Sequence, residues 1–210
     1  MKFYRTIFLL MLSLLGCTAA ASPESDFWSW FQQNEGDIFN FENNQEIVFD
    51  KLAARMQKIN PSLTFEFGPK KDGIREFVIS ADGIKDAFPS VEKLYAAAPQ
   101  LKKWRFIKFR PRREPFDIKY QGISVQAASV TVSIARDGAK AAITVLIPGY
   151  TESKRDSYTG IAYLILDQAL GEYDVETRVG AIDVVAPSAR YGQVRTLMDL
   201  PEAFDELLSR

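Results

Sequence analysis

The hydrophobic period of the chain changes twice between Leu63 and Arg113, and that order of periods narrows the folds open to it. Leu63, Phe65 and Phe67 alternate with Thr64 and Glu66, the two-residue period of a half-buried strand. A loop from Gly68 to Gly73 returns the chain into a second strand, Ile74 to Ala81, with Phe77 and Ile79 on one face. Ile84, Ala87, Phe88, Val91, Leu94 and Tyr95 then fall on a helical stripe, with Pro89 in its first turn and Pro99 past its end. Trp104 to Phe109 is a third strand, and it runs into Arg110, Arg112 and Arg113. Strands and a helix interleaved in this way predict an α+β fold, an antiparallel or mixed sheet with packed helices.

The flanking sequence continues the pattern. Phe27, Trp30 and Phe31 share a helical face, suited either to a membrane interface or to the protein's own core. A second helix covers Asn44 to Ile59 and stops at Asn60-Pro61. Phe116 to Tyr120 is a short strand, and Arg136-Asp137-Gly138 joins two β-rich runs as a hairpin. Tyr158 to Leu170 is apolar nearly all round, so it is expected to be a buried helix ended by Gly171. Val175 to Val185 reads as a strand and Pro201 to Leu208 as a last helix. No internal repeat is visible. Residues 26–210 are read as one compact α+β unit, with 26–114 and 115–210 as candidate lobes.

Histidine is absent from the 210 residues and cysteine occurs once. Ser-His-Asp and Cys-His catalysis are therefore excluded, as are zinc sites built on His and several Cys, and any disulfide within the chain. The net charge of −1 gives no reason to expect nucleic acid as a partner, and no cofactor is called for. Carboxylate chemistry stays open.

At the amino terminus, Lys2 and Arg5 precede an apolar run from Ile7 to Leu15, too short to span a bilayer at about 20 residues. Residues 1–16 thus read as a signal peptide and 17–25 as a tether. Leu14-Leu15-Gly16-Cys17 resembles the lipobox of bacterial lipoproteins, in which the cysteine is acylated and the signal is cut before it. The resemblance implies lipidation at Cys17. Thr18 after the cysteine points to the outer membrane of a diderm bacterium, facing the periplasm. The alternative is cleavage after Ala21 and a soluble periplasmic protein.

Two charged stretches are the candidate binding surfaces. Between Lys102 and Lys119, eight basic side chains stand against Glu114 and Asp117. Arg110, Arg112 and Arg113 offer forked donors to an external carboxylate or phosphate, on a protein or an anionic envelope partner, unless they are a solvated strand end or pair within the protein. Between Asp167 and Asp183, five carboxylates face Arg178 alone, and Glu172, Asp174 and Glu176 would line one strand face. Their expected counter-charge is the basic stretch; an exposed carboxylate row is the next reading and a hard metal ion the last. Ser90-Val91-Glu92-Lys93 matches the S-x-x-K motif of penicillin-binding proteins, but the companion K-T-G and S-D-N elements are missing. Gly68 and Gly73 have phosphate-loop spacing without the Lys and Ser/Thr that must follow.

Five pieces together resemble a bacterial family of unknown function. They are Phe27-Trp28-Ser29-Trp30-Phe31, Phe65-Glu66-Phe67-Gly68-Pro69, Arg75-Glu76-Phe77-Val78-Ile79-Ser80, Phe109-Arg110-Pro111-Arg112-Arg113, and the run from Leu170 to Thr177. The resemblance implies a shared α+β fold and brings no catalytic residue; the export signal is a departure from it. The expected function is a membrane-anchored envelope lipoprotein that binds a partner without catalysis, through residues 102–113. The alternative is a carboxylate-dependent hydrolase of an envelope polymer, which requires a cleft holding two carboxyl groups with separated pKa values.

Overall fold

A computed structural model describes residues 22–188 and 192–209. The expected signal peptide, residues 1–16, and the expected lipidation site, Cys17, lie outside the described residues. The chain is an α+β protein. Helices α1 (Pro23–Gln33), α2 (Glu35–Phe39) and α3 (Gln45–Gln57) come first, then strands β1 (Thr64–Lys71) and β2 (Ile74–Ser80), helix α4 (Phe88–Ala96) and strand β3 (Trp104–Lys108). Strands β4 (Ile118–Tyr120) and β5 (Ile123–Val125) form a small hairpin. Strands β6 (Thr131–Asp137) and β7 (Lys140–Leu146) lead to helices α5 (Arg155–Leu170) and α6 (Glu172–Arg178). Strands β8 (Val179–Val185) and β9 (Val194–Thr196) and helix α7 (Leu200–Ser209) complete the described fold.

The order within the first sheet is β1-β2-β3, and within the second β8-β7-β6-β9. In each, an antiparallel hairpin is followed by a helical crossover, and the next strand lies parallel to the hairpin's second strand. The chain therefore uses one ββαβ plan twice, although no repeat shows in its sequence. The crossovers differ in length, nine residues in α4 against sixteen in α5 followed by α6, which destroys any fixed period.

Turn chemistry sets the registers. β1 continues through Lys71, beyond the expected loop at Gly68, because a bulge between Phe67 and Lys70 absorbs Gly68-Pro69. The hairpin then closes on Asp72 and Gly73 alone, with φ of 52° and 76°, the doubly positive pair that a tight hairpin turn demands.

Two hydrophobic cores result, one from residues between Phe27 and Phe109 and the other from residues between Ile118 and Phe204. In the first, Phe27, Trp28 and Phe31 of α1 pack on Phe77, Trp104 and Phe106, with Trp28–Phe106 centroids 4.5 Å apart and Phe31–Trp104 4.9 Å. Trp28, not Trp30, takes the third buried place, and its indole donates to the Leu94 carbonyl at 2.8 Å. Trp30 is half-buried with the Arg55 guanidinium above its ring. In the second core, α5 buries Ile161, Ala162, Ile165, Leu166, Ala169 and Leu170 against Val132, Ile143 and Val145. Its Tyr163 and Leu164 are exposed, so one strip of this apolar helix meets solvent.

The expected strand from Val175 begins only at Val179. Residues 172–178 form α6 instead, so Glu172, Asp174 and Glu176 do not share a strand face. Tertiary contacts override the period-two pattern here: Val175 faces the second core while Glu172 is drawn in the other direction.

Candidate functional site

The two cores meet along the segment that follows β3. Phe109, an aromatic residue at φ +60°, turns this strap away from the first sheet. The turn is held by its N–H on the Ile79 carbonyl (2.7 Å) and by the rings of Phe88 and Tyr173, 4.5 and 5.1 Å away. From there the backbone crosses to the second core, where the Glu172 N–H donates to the Arg110 carbonyl (3.0 Å) and the Arg113 N–H to the Gln168 carbonyl (2.7 Å).

The arginines, read as donors either to an external anion or to groups of the protein itself, meet internal carboxylates. Arg110 donates from Nε to Glu66 and from Nη2 to Asp82 at 2.7 Å, and lies 3.6 Å from Asp167. Burial works against its charge, but Asp82 and Glu66 outweigh it and hold the guanidinium more firmly protonated than usual. Arg112 grips Asp205 with two bonds (2.7 and 2.9 Å), donates to Asp174 at 2.6 Å and caps the Leu170 carbonyl at 3.0 Å. Its hydrogen bond to Asp205 in turn pulls that carboxyl below its ordinary range. Arg113 makes a longer bond to Glu76, at 3.2 Å.

The residue that sequence reasoning undervalued is Glu172. It is fully buried, and its carboxylate accepts from three backbone N–H groups: Ala81 (2.9 Å) and Gly83 (3.2 Å) on one oxygen, Arg110 (3.0 Å) on the other. The loop after β2, the strap and α6 are thereby tied at one point. Gly171 makes the approach possible, since a Cβ there would lie 3.1 Å from the Arg110 carbonyl and 3.2 Å from the Arg112 nitrogen. The sequence signal was a glycine that ends one helix directly before a glutamate that opens the next.

Asp167 is the electrostatic anomaly of the seam. Burial pushes its carboxyl up to about 7; Arg110 pulls it down, and the carboxylates Glu172, Glu176 and Asp82 add to the rise. The 3.6 Å separation from Arg110 is too long for a hydrogen bond, so the ion pair does not offset the lost hydration. Burial beside Glu172 raises Glu176 as well. A cleft of about 240 Å³ beside the strap contains Glu66 and Asp167 together with Phe116 and Leu164. Both carboxylates have Arg110 as their common neighbour. Among the described residues no three metal-binding side chains converge, and no helix is long and apolar enough to cross a membrane.

Ser90 accepts from Asn60 at 3.1 Å and Lys93 is exposed, so the S-x-x-K match lies on an ordinary helix surface. The rest of the basic stretch remains at the surface. Lys102, Lys103 and Arg105 are exposed at the start of β3, and β2 brings that end level with Lys70 and Lys71 at the end of β1. The Lys70 and Lys103 ammonium groups stand over the same ring, Phe39, at 4.4 and 5.5 Å. Sequence reasoning missed this cluster because about thirty residues separate its halves.

No protein-family model, curated protein or solved structure matches this chain.

Proposed function

We propose that the protein is an envelope lipoprotein, anchored through acylated Cys17, that binds an acidic partner without catalysis through the basic end of its first sheet. The observation that carries this reading is the exposed gathering of Lys70, Lys71, Lys102 and Lys103, set beside Arg110 and Arg112 already committed to internal carboxylates. Direction supports it too. Trp28 packs on Phe106 and Phe31 on Trp104, so α1 runs opposite to β3 and starts near the Lys108 end. Cys17 lies five residues before Ser22, a reach of at most about 18 Å. An anchor that short keeps the start of α1 near the bilayer and leaves the lysine end directed into the compartment.

Two variants test the parts separately. Cys17→Ala should abolish acyl labelling and release the protein from the membrane fraction; retention there would sink the anchor. A variant with Lys70, Lys71, Lys102 and Lys103 all changed to Glu should elute from a heparin column at lower salt than one with Lys58, Lys85, Lys93 and Lys154 changed to Glu. The two carry the same net charge, so equal elution would show that the cluster has no special role.

A further inference from the structure

The first three helices surround a cleft of about 280 Å³ that the seam and the lysine cluster do not touch. The whole chain contains five asparagines, and four of them, Asn34, Asn40, Asn43 and Asn44, line this cleft. The fifth, Asn60, is bonded to Ser90 elsewhere. Helix capping accounts for part of this. Asn34 and Asn40 close α1 and α2, and their amide groups donate to the Trp30 and Gly36 carbonyls at 2.8 and 3.0 Å, which leaves their side-chain oxygens to face other groups.

Capping does not account for the other two. Asn44 occupies the N-cap of α3 yet makes no capping bond with its side chain, forgoing a contribution that Asn at that position ordinarily makes. Among the described residues, Asn43 makes no side-chain hydrogen bond either. Both are exposed on the cleft wall.

We infer that this cleft is a binding site for an uncharged saccharide. Each asparagine amide presents two donors and an acceptor at one point, the complement of a sugar hydroxyl that both gives and takes a hydrogen bond. An anion would call for donors alone and a metal ion for oxygens alone. The ionic groups of the lining, Asp37 and Lys51, offset each other, so the site carries no net charge to attract an ion. Trp30, half-buried with Arg55 over its ring, and the exposed Ile47 give the lining an apolar side, which the C–H groups of a pyranose can meet. The volume lies at the lower end of small-molecule sites and suits one or two sugar rings, with modest affinity. This reading is independent of the lysine cluster, and each can fail without the other.

The test uses asparagine-labelled protein and the side-chain amide signals of its five asparagines, titrated with glucose, N-acetylglucosamine, the N-acetylglucosamine tetramer and inorganic phosphate. At millimolar concentrations one of the three sugars should move the signals of Asn34, Asn40, Asn43 and Asn44 saturably, while Asn60 stays still as the internal reference. Asn43→Ala combined with Asn44→Ala removes two exposed side-chain amides that bond to nothing else among the described residues, so folding should be unaffected and affinity should drop at least about tenfold. The inference is overturned if no sugar gives a saturable shift, if phosphate shifts the same signals, or if the double variant binds as tightly as the parent.

Discussion

Removing the Glu172 carboxylate should separate the two cores before it unfolds either. In Glu172→Ala the N–H groups of Ala81, Gly83 and Arg110 lose their acceptor in a site from which solvent is excluded. Hydrogen bonds to a charged group are worth about 1.5–3 kcal/mol each, but Gly83 is the longest of the three and water can enter the space vacated. A net loss of about 4 kcal/mol is expected, close to half of the stability of a typical domain. Glu172→Gln is the sharper variant. Its amide oxygen can serve Ala81 and Gly83, but its NH₂ then points at the Arg110 N–H, donor against donor; turning it over orphans two groups instead of one. About 2 kcal/mol is expected. Urea unfolding followed by tryptophan fluorescence reports the first core, which holds all three tryptophans, while far-UV circular dichroism reports both. The parent should give coincident transitions and Glu172→Ala two displaced ones. If either variant unfolds within about 0.5 kcal/mol of the parent with coincident transitions, Glu172 is not the tie between the cores.

Three other outcomes follow from the same seam. Asp167 has a folded pKa of about 7, above its ordinary 3.8, so its protonation stabilises the fold as pH falls through 7, and ionisation withdraws that stabilisation as pH rises. Between pH 8 and pH 5 this amounts to about 2–3 kcal/mol, and Asp167→Asn should remove it, so parallel urea-midpoint profiles for parent and variant would contradict the burial account. Gly171→Ala places a methyl group against the strap backbone at φ +81°, ψ 147°, a region almost closed to other residues, and should cost about 2–4 kcal/mol by thermal melting. Arg112→Lys keeps the charge but cannot reproduce the two-pronged grip on Asp205 together with the bonds to Asp174 and Leu170. It should lower the melting temperature by several degrees, whereas Lys102→Ala should leave it unchanged.

Local pattern carried the elements, and only three-dimensional pairing carried their roles. The alternation at Leu63 to Phe67, the stripe at Val91 and Leu94 and the apolar run of α5 are readable because a strand or helix repeats its own burial every two or three to four residues. The same logic failed at Glu172 to Glu176, where one side chain is captured by a loop ninety residues earlier in the chain. Charge was legible as two opposed stretches, but not as a set of pairs. Arg110 meets Glu66, Asp82 and Asp167, partners that share no spacing and converge only when both cores are in place. The lysine cluster needs β2 to align the ends of β1 and β3, and the asparagine cleft needs three helices to close around it. Which chemistries are absent was decided by the letters alone, since a chain without histidine cannot acquire one by folding. Which surfaces remain free to bind was decided by the tertiary structure, because a charge is available to a partner only after the protein's own countercharges have been met.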